Sequence, residues 1–155
     1  MPGPFPHVAT DRTEQRPGDD AAAKPAGPHR LNIDGVPEQV AAARAFIRQV
    51  LGSGHPGTDR VTLLTSELVT NSINHSNSRK KGGTITVTVS AATDRVRVEV
   101  ADDGGETVPA VRRRGELAEG GRGLQLVDAY SLAWNCHHAA GRTITWFECP
   151  AQPLP

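Results

Sequence analysis

Two cysteines, Cys136 and Cys149, are all the thiol chemistry this 155-residue chain offers, too few for a disulfide framework. Charge of either sign is not in excess, since Lys plus Arg equals Asp plus Glu at 17 each. Without an overall field, nothing steers the chain toward nucleic acid or an anionic membrane, and neither is expected as a partner. No apolar run approaches the length of a membrane span. The first residues carry no basic segment followed by an apolar stretch, so no secretory leader is expected. Internal repeats are also missing. These absences together predict a cytoplasmic protein, of a length that suits one domain with a respectable core.

What is present begins with "MPGPFPHVATDRTEQRPGDDAAAKPAGPH", rich in Pro, Gly, Ala and charge. Such a stretch buries too little apolar surface to offset its ordering entropy. Residues 1–29 are therefore expected to form a disordered tail, 30–150 the folded domain, and 151–155 a short C-terminal tail.

Within the domain, Leu31 and Ile33 alternate as in a short strand, and Val40, Ala43, Ile47 and Leu51 then recur at helical spacing behind Pro37, a first-turn residue. A second helix is predicted through "RVTLLTSELVTNSINHS", capped by Thr58 or Asp59. "TITVTVS" and "RVRVEVAD" alternate apolar residues, which reads as a hairpin of two half-buried strands. A long loop follows from Asp102 to Gly121. Loops of that length in a compact domain are functional or disordered. Helical spacing resumes at Leu124 and Val127 and extends toward Leu132, before a closing hairpin around Ala139 to Gly141. Strands joined by tight turns, with helices between them, predict an α/β two-layer sandwich: a mixed, mostly antiparallel sheet with helices on one face.

On the second helix, Glu67, Asn71 and His75 stand four residues apart beside Leu64 and Leu68, while Val69 and Ile73 point nearly the opposite way at about 100° per residue. A polar row at the edge of a buried stripe needs partners, because an unpaired buried carboxylate loses several kcal/mol of solvation or shifts its pKa. A local hydrogen-bond network would suffice. So would a site, in which an amide one turn from a glutamate presents an oxygen to a metal ion and the carboxylate accepts a proton. Two glycine-rich segments bear on the choice. "VRVEVADDGG" ends a strand in acidic residues, and "EGGRGLQLV" opens a helix, where glycine lets backbone N–H groups approach a phosphate at a favourable helix N-terminus. The dinucleotide fingerprint fails, since Leu126 stands where its third glycine would be.

In order, Glu67-x-x-x-Asn71, Asp102-x-Gly104 and Gly121-x-Gly123 resemble the N, G1 and G2 boxes of the histidine-kinase-like ATPase (GHKL) superfamily. "LLTSELVTNSINHS", "VEVADDGG", "GGRGLQLVDA" and "GRTITWFEC" look like its compact anti-sigma-factor serine/threonine kinases, a resemblance covering about Leu31 to Cys149. It implies a Bergerat-type sandwich, with ATP held between the helical layer and a lid from Gly105 to Gly120. By that resemblance Asn71 binds Mg²⁺, Glu67 is the general base, and Asp102 accepts from the adenine amine with Gly104 packed beneath the base. Gly121, Arg122, Gly123 and Leu124 match the phosphate-wrapping segment, and His75 the histidine that often ends the first box. The implied partners are a sigma factor or similar regulator and an anti-sigma-factor antagonist, with a homodimer left open. One departure is that Glu106 stands where the G1 pattern has its second glycine. It keeps a second reading alive, a non-catalytic ATP-binding module that sequesters its partner.

The remaining features read plainly. Arg112, Arg113 and Arg114 are expected to be solvated, and Arg79, Lys80 and Lys81 follow a helix C-terminus, where cations are favoured. Cys136, His137 and His138 lack a second pair at zinc-ligand spacing. Cytosolic thiols stay reduced, so Cys136 and Cys149 are expected as small buried hydrophobes. Trp134 and Trp146 are expected to pack the sheet.

Overall fold

The structure, a computed structural model, describes residues 27–105 and 122–152. Its elements are β1 (His29–Asp34), α1 (Val40–Leu51), α2 (Thr58–His75), β2 (Thr84–Ala91), β3 (Arg95–Asp102), α3 (Arg122–Tyr130), β4 (Ala133–Ala139) and β5 (Arg142–Pro150). The five strands form one sheet in the order β1-β2-β3-β5-β4, antiparallel at every pairing. The tight turns of β2–β3 and β4–β5 allow only antiparallel pairing, and β1–β2 and β3–β5, joined through longer connections, pair the same way, which leaves the sheet at the antiparallel end of the expected mixture.

Alternation in the sequence becomes two faces of the sheet. Ile85, Val87, Val89, Val96, Val98, Val100 and Phe147 are all fully buried and join Ile47, Leu64 and Leu68 in one core between helices and sheet. Each fully buried aliphatic side chain contributes about 1.5–3 kcal/mol relative to exposure. Val69 and Ile73 are buried too, so α2 is apolar on two sides, as its pattern requires of a helix between neighbours. The opposite face of the sheet is polar. There Glu148, wholly buried, pairs with Arg95 at 3.4 Å and Arg97 at 3.2 Å, and the Arg97 guanidinium lies 4.1 Å from the Trp146 ring centre.

Three local details depart from the sequence reading, the cap of α2, the end of α3 and the turn at Pro37, while both tryptophans pack the sheet as expected. Gly57, not Thr58 or Asp59, is the N-cap of α2; Thr58 is inside the helix and its hydroxyl donates to the Gly52 carbonyl at 2.9 Å. Leu132 lies beyond the end of α3 and is 56 % exposed, because the chain has already turned into β4. Trp146 covers the polar face of the sheet and Trp134 packs against the core, its ring N–H donating to Asp128 at 3.0 Å. Pro37 opens a single 3-10 turn, Pro37–Gln39, that leads into α1.

A second 3-10 turn, Asn77–Arg79, ties the end of α2 to the sheet. The Ser78 hydroxyl donates to the Thr84 carbonyl at 2.7 Å and accepts from Asp103 N–H at 2.8 Å, while Asn77 N–H donates to the Gly104 carbonyl at 2.6 Å. The start of β2 and the end of β3 are thereby held to one point under α2. Among the described residues, no helix is long and apolar enough to cross a membrane. Residues 1–26, most of the expected tail, lie outside the described residues.

Candidate functional site

The polar row of α2 sits at the rim of the core. Glu67 and Asn71 are half-buried and His75, the last helical residue, is exposed, with Leu64 and Leu68 buried beside them. Against this row lies the first turn of α3. A Cβ placed on Gly123 would come 3.1 Å from Glu67 Oε2, 3.4 Å from its Cβ and 3.5 Å from its carbonyl oxygen. Glycine at 123 thus lets the N-terminus of α3 close on Glu67, so a proton acceptor and a helix end that favours anions become neighbours.

Asp102 ends β3 with only 6 % of its surface exposed. Burial pushes its carboxyl above the usual carboxylate range, opposed by hydrogen bonds from Gly104 N–H, at 2.8 Å to Oδ1, and from the Ser72 hydroxyl. Gly104 has φ +73°, and a Cβ there would approach the Gly141 carbonyl oxygen to 2.7 Å. Backbone on both counts requires glycine. Gly105 lies near α2, where a Cβ would be 3.3 Å from the His75 carbonyl oxygen, tight but less so than at Gly104. The segment Asp102-x-Gly104 is therefore clamped between the C-terminal turn of α2 and the β4–β5 hairpin. Arg142 completes the clamp, its guanidinium donating to the Ala101 carbonyl at 3.1 Å and the Asp102 carbonyl at 3.3 Å.

Several residues around Asp102 carry no signal in the linear sequence. Ser72 supports Asp102 from the helix above. Thr143, 3 % exposed, stands directly across from Asp102 on β5, and His138 across from Thr143 on β4. Register brings them together, and only the pairing of Asp102 with Thr143 could have revealed it. Cys136 is half-buried on the same face, the Thr145 hydroxyl 3.4 Å from its sulfur, and burial raises its thiol pKa. Cys149 alone fits the expected buried hydrophobe: burial pushes its thiol up to about 12, and it donates to the Tyr130 carbonyl. Both thiols are free.

The structure brings Glu67 to Gly123 and Asp102 to Gly104, and sets Asn71 and His75 on the helix between. Arg122 opens α3, and Leu124 packs partly buried against the core. Gly121, Glu106, the arginines 112–114 and the expected lid beyond Gly105 lie outside the described residues. Among those described, no three His, Cys, Asp or Glu side chains gather to hold a metal. This donor set suits Mg²⁺ carried in on phosphates, because that ion takes one or two protein oxygens, such as the Asn71 amide, and fills its shell with phosphate and water.

The family model described as histidine kinase-like ATPase domain matches residues 33–148. Among solved structures, the blue-light activated histidine kinase of Erythrobacter litoralis EL346 aligns at 23% identity and TM-score 0.51, over 74% of this chain and 41% of that one. The chain thus spans well under half of that kinase's length. The histidine kinase domain of the same protein aligns at 22% identity and TM-score 0.50, over 85% of this chain and 72% of that one. A nucleotide-free form of the catalytic domain of the histidine kinase ThkA aligns at 15% identity and TM-score 0.51, over 81% and 99%. At these identities the likeness is one of fold. No curated protein matches the sequence. With the model spanning most of the chain and the fold shared, this protein belongs to the histidine kinase-like ATPase domain family, a membership that implies ATP as its nucleotide.

Proposed function

We propose that this chain is a cytoplasmic regulatory protein kinase of the anti-sigma-factor type, which phosphorylates a serine or threonine of a small antagonist protein and binds a sigma factor or similar regulator. The observation that carries this reading is the approach of the α3 N-terminus to Glu67 across Gly123. A serine hydroxyl, unlike an imidazole, must lose a proton as it attacks, and a half-buried carboxylate beside a phosphate-favouring helix end is placed to take it. The hydroxyl oxygen bonds to the γ-phosphorus as the bond to the β,γ-bridging oxygen breaks, its proton passes to Glu67, and ADP leaves. Bound ATP supplies the phosphoryl group, and Mg²⁺ at the Asn71 amide would offset its charge. Asp102 would accept from the base amine, and the glycines around it allow that approach.

Incubating the protein with γ-labelled ATP, Mg²⁺ and candidate antagonists tests the proposal. Label should appear on a serine or threonine, and Glu67→Gln should lower transfer at least about a hundredfold while changing nucleotide affinity by under about threefold. Tight ATP binding with no transfer to any partner would remove the kinase reading. It would leave the second one, a module that uses nucleotide to hold or release a sequestered partner, which Glu106 in place of the second G1 glycine supports.

A further inference from the structure

Strands β3, β5 and β4 set Asp102, Thr143 and His138 side by side on one face. His138 Nδ1 lies 3.3 Å from the Arg142 carbonyl oxygen and 3.3 Å from Thr143 Oγ1. A carbonyl oxygen can only accept, which favours the tautomer with its hydrogen on Nδ1, and in that tautomer the ring donates to both oxygens. The Thr143 oxygen is then an acceptor toward His138. Its own proton is free to be donated elsewhere. Asp102 already receives Gly104 N–H at Oδ1 and the Ser72 hydroxyl, and His138 is the hydrogen-bond partner of the Thr143 hydroxyl among the described residues. The proton is therefore available to a ligand in the cleft.

We propose that His138 is a positioning residue for base recognition: by donating through Nδ1 it fixes the Thr143 hydroxyl as a donor beside the acceptor Asp102. This rests on the reading of Asp102 as the base-end acceptor. An acceptor and a donor side by side match the edge of a 6-aminopurine, which presents an amine next to a ring nitrogen. Guanine, with a carbonyl in place of the amine, would set two acceptors against each other. The sequence reading absorbed His138 into a rejected zinc set; the register of β4 against β5 gives it this role. It is exposed on an edge strand, so its replacement leaves the core untouched.

Calorimetric titration of the full chain with ADP and with its 1-deaza and 7-deaza analogues, each lacking one ring nitrogen beside the amine, tests the assignment. Wild type should bind one of the two analogues about tenfold more weakly than ADP, the scale of one hydrogen bond. In His138→Ala that penalty should shrink to about twofold, with ADP itself bound about tenfold more weakly. His138→Asn, whose amide N–H₂ reaches the position of Nδ1, should restore both. A full analogue penalty in His138→Ala, or no restoration by Asn, overturns the role of His138 and leaves the adenine site standing. Failure of wild type to bind ADP at all overturns both.

Discussion

At the scale of single residues, Asp102 is a buried acid kept at some expense to the fold. Its carboxyl is held above the ordinary range chiefly by burial, so the folded state binds that proton more tightly than the unfolded chain does. Its contribution to stability is therefore full below the unfolded carboxylate pKa and is lost as pH rises through the raised folded value. Asp102→Asn keeps an oxygen for Gly104 N–H and removes the charge. Thermal melts should show the variant at least as stable as wild type near pH 7, with the difference closing toward pH 4, while adenine nucleotide binding is lost. Asp102 and Gly104 stood out in the sequence only through their order after Glu67 and Asn71 and before Gly121 and Gly123, since an acidic residue and a glycine at a strand end are by themselves commonplace. Ser72 and Thr143 were not, since short hydroxyl residues occur everywhere and only the pairing of β3 with β5 and the seat of α2 bring these two to the carboxylate.

At the scale of elements, the turn Asn77–Arg79 sets the distance between helix and sheet, and Ser78 is its centre. Ser78→Ala removes a buried hydroxyl that makes two hydrogen bonds and leaves Asp103 N–H and the Thr84 carbonyl without that partner. A loss of about 2 kcal/mol is expected, read as a melting temperature lower by roughly 5 °C, together with weaker nucleotide binding as Asp102 drifts from α2. Gly83→Ala should be worse, because a Cβ there collides with the Ser78 backbone. The strands and helices themselves could be read from periodicity, since each buries one or two apolar faces. Their ends could not. A hydroxyl before a helix looks like a cap, yet Thr58 spends its hydroxyl on the Gly52 carbonyl. One-turn 3-10 segments such as this one repeat too briefly to show any period.

For the whole molecule, balanced charge means that nucleotide is not drawn in by a long-range field and affinity must come from the cleft itself. Ligand bound only by the folded state stabilises it by about 2.7 kcal/mol at a hundred times its dissociation constant, which for a chain of this size is a rise of about 10 °C in melting temperature. That shift is expected with ATP and Mg²⁺. Chelating the metal should cut it by at least half, and Asn71→Ala should make the remainder insensitive to Mg²⁺.

Strand order carries one more implication. Because β5 rather than β4 lies beside β3, the part of the domain through β3 meets the part from α3 onward along one seam. Glu67, Asn71 and Asp102 belong to the earlier piece, Gly123, Thr143 and His138 to the later. A guest lodged there is a rivet through both, and neither piece can peel away from the other until it has let go.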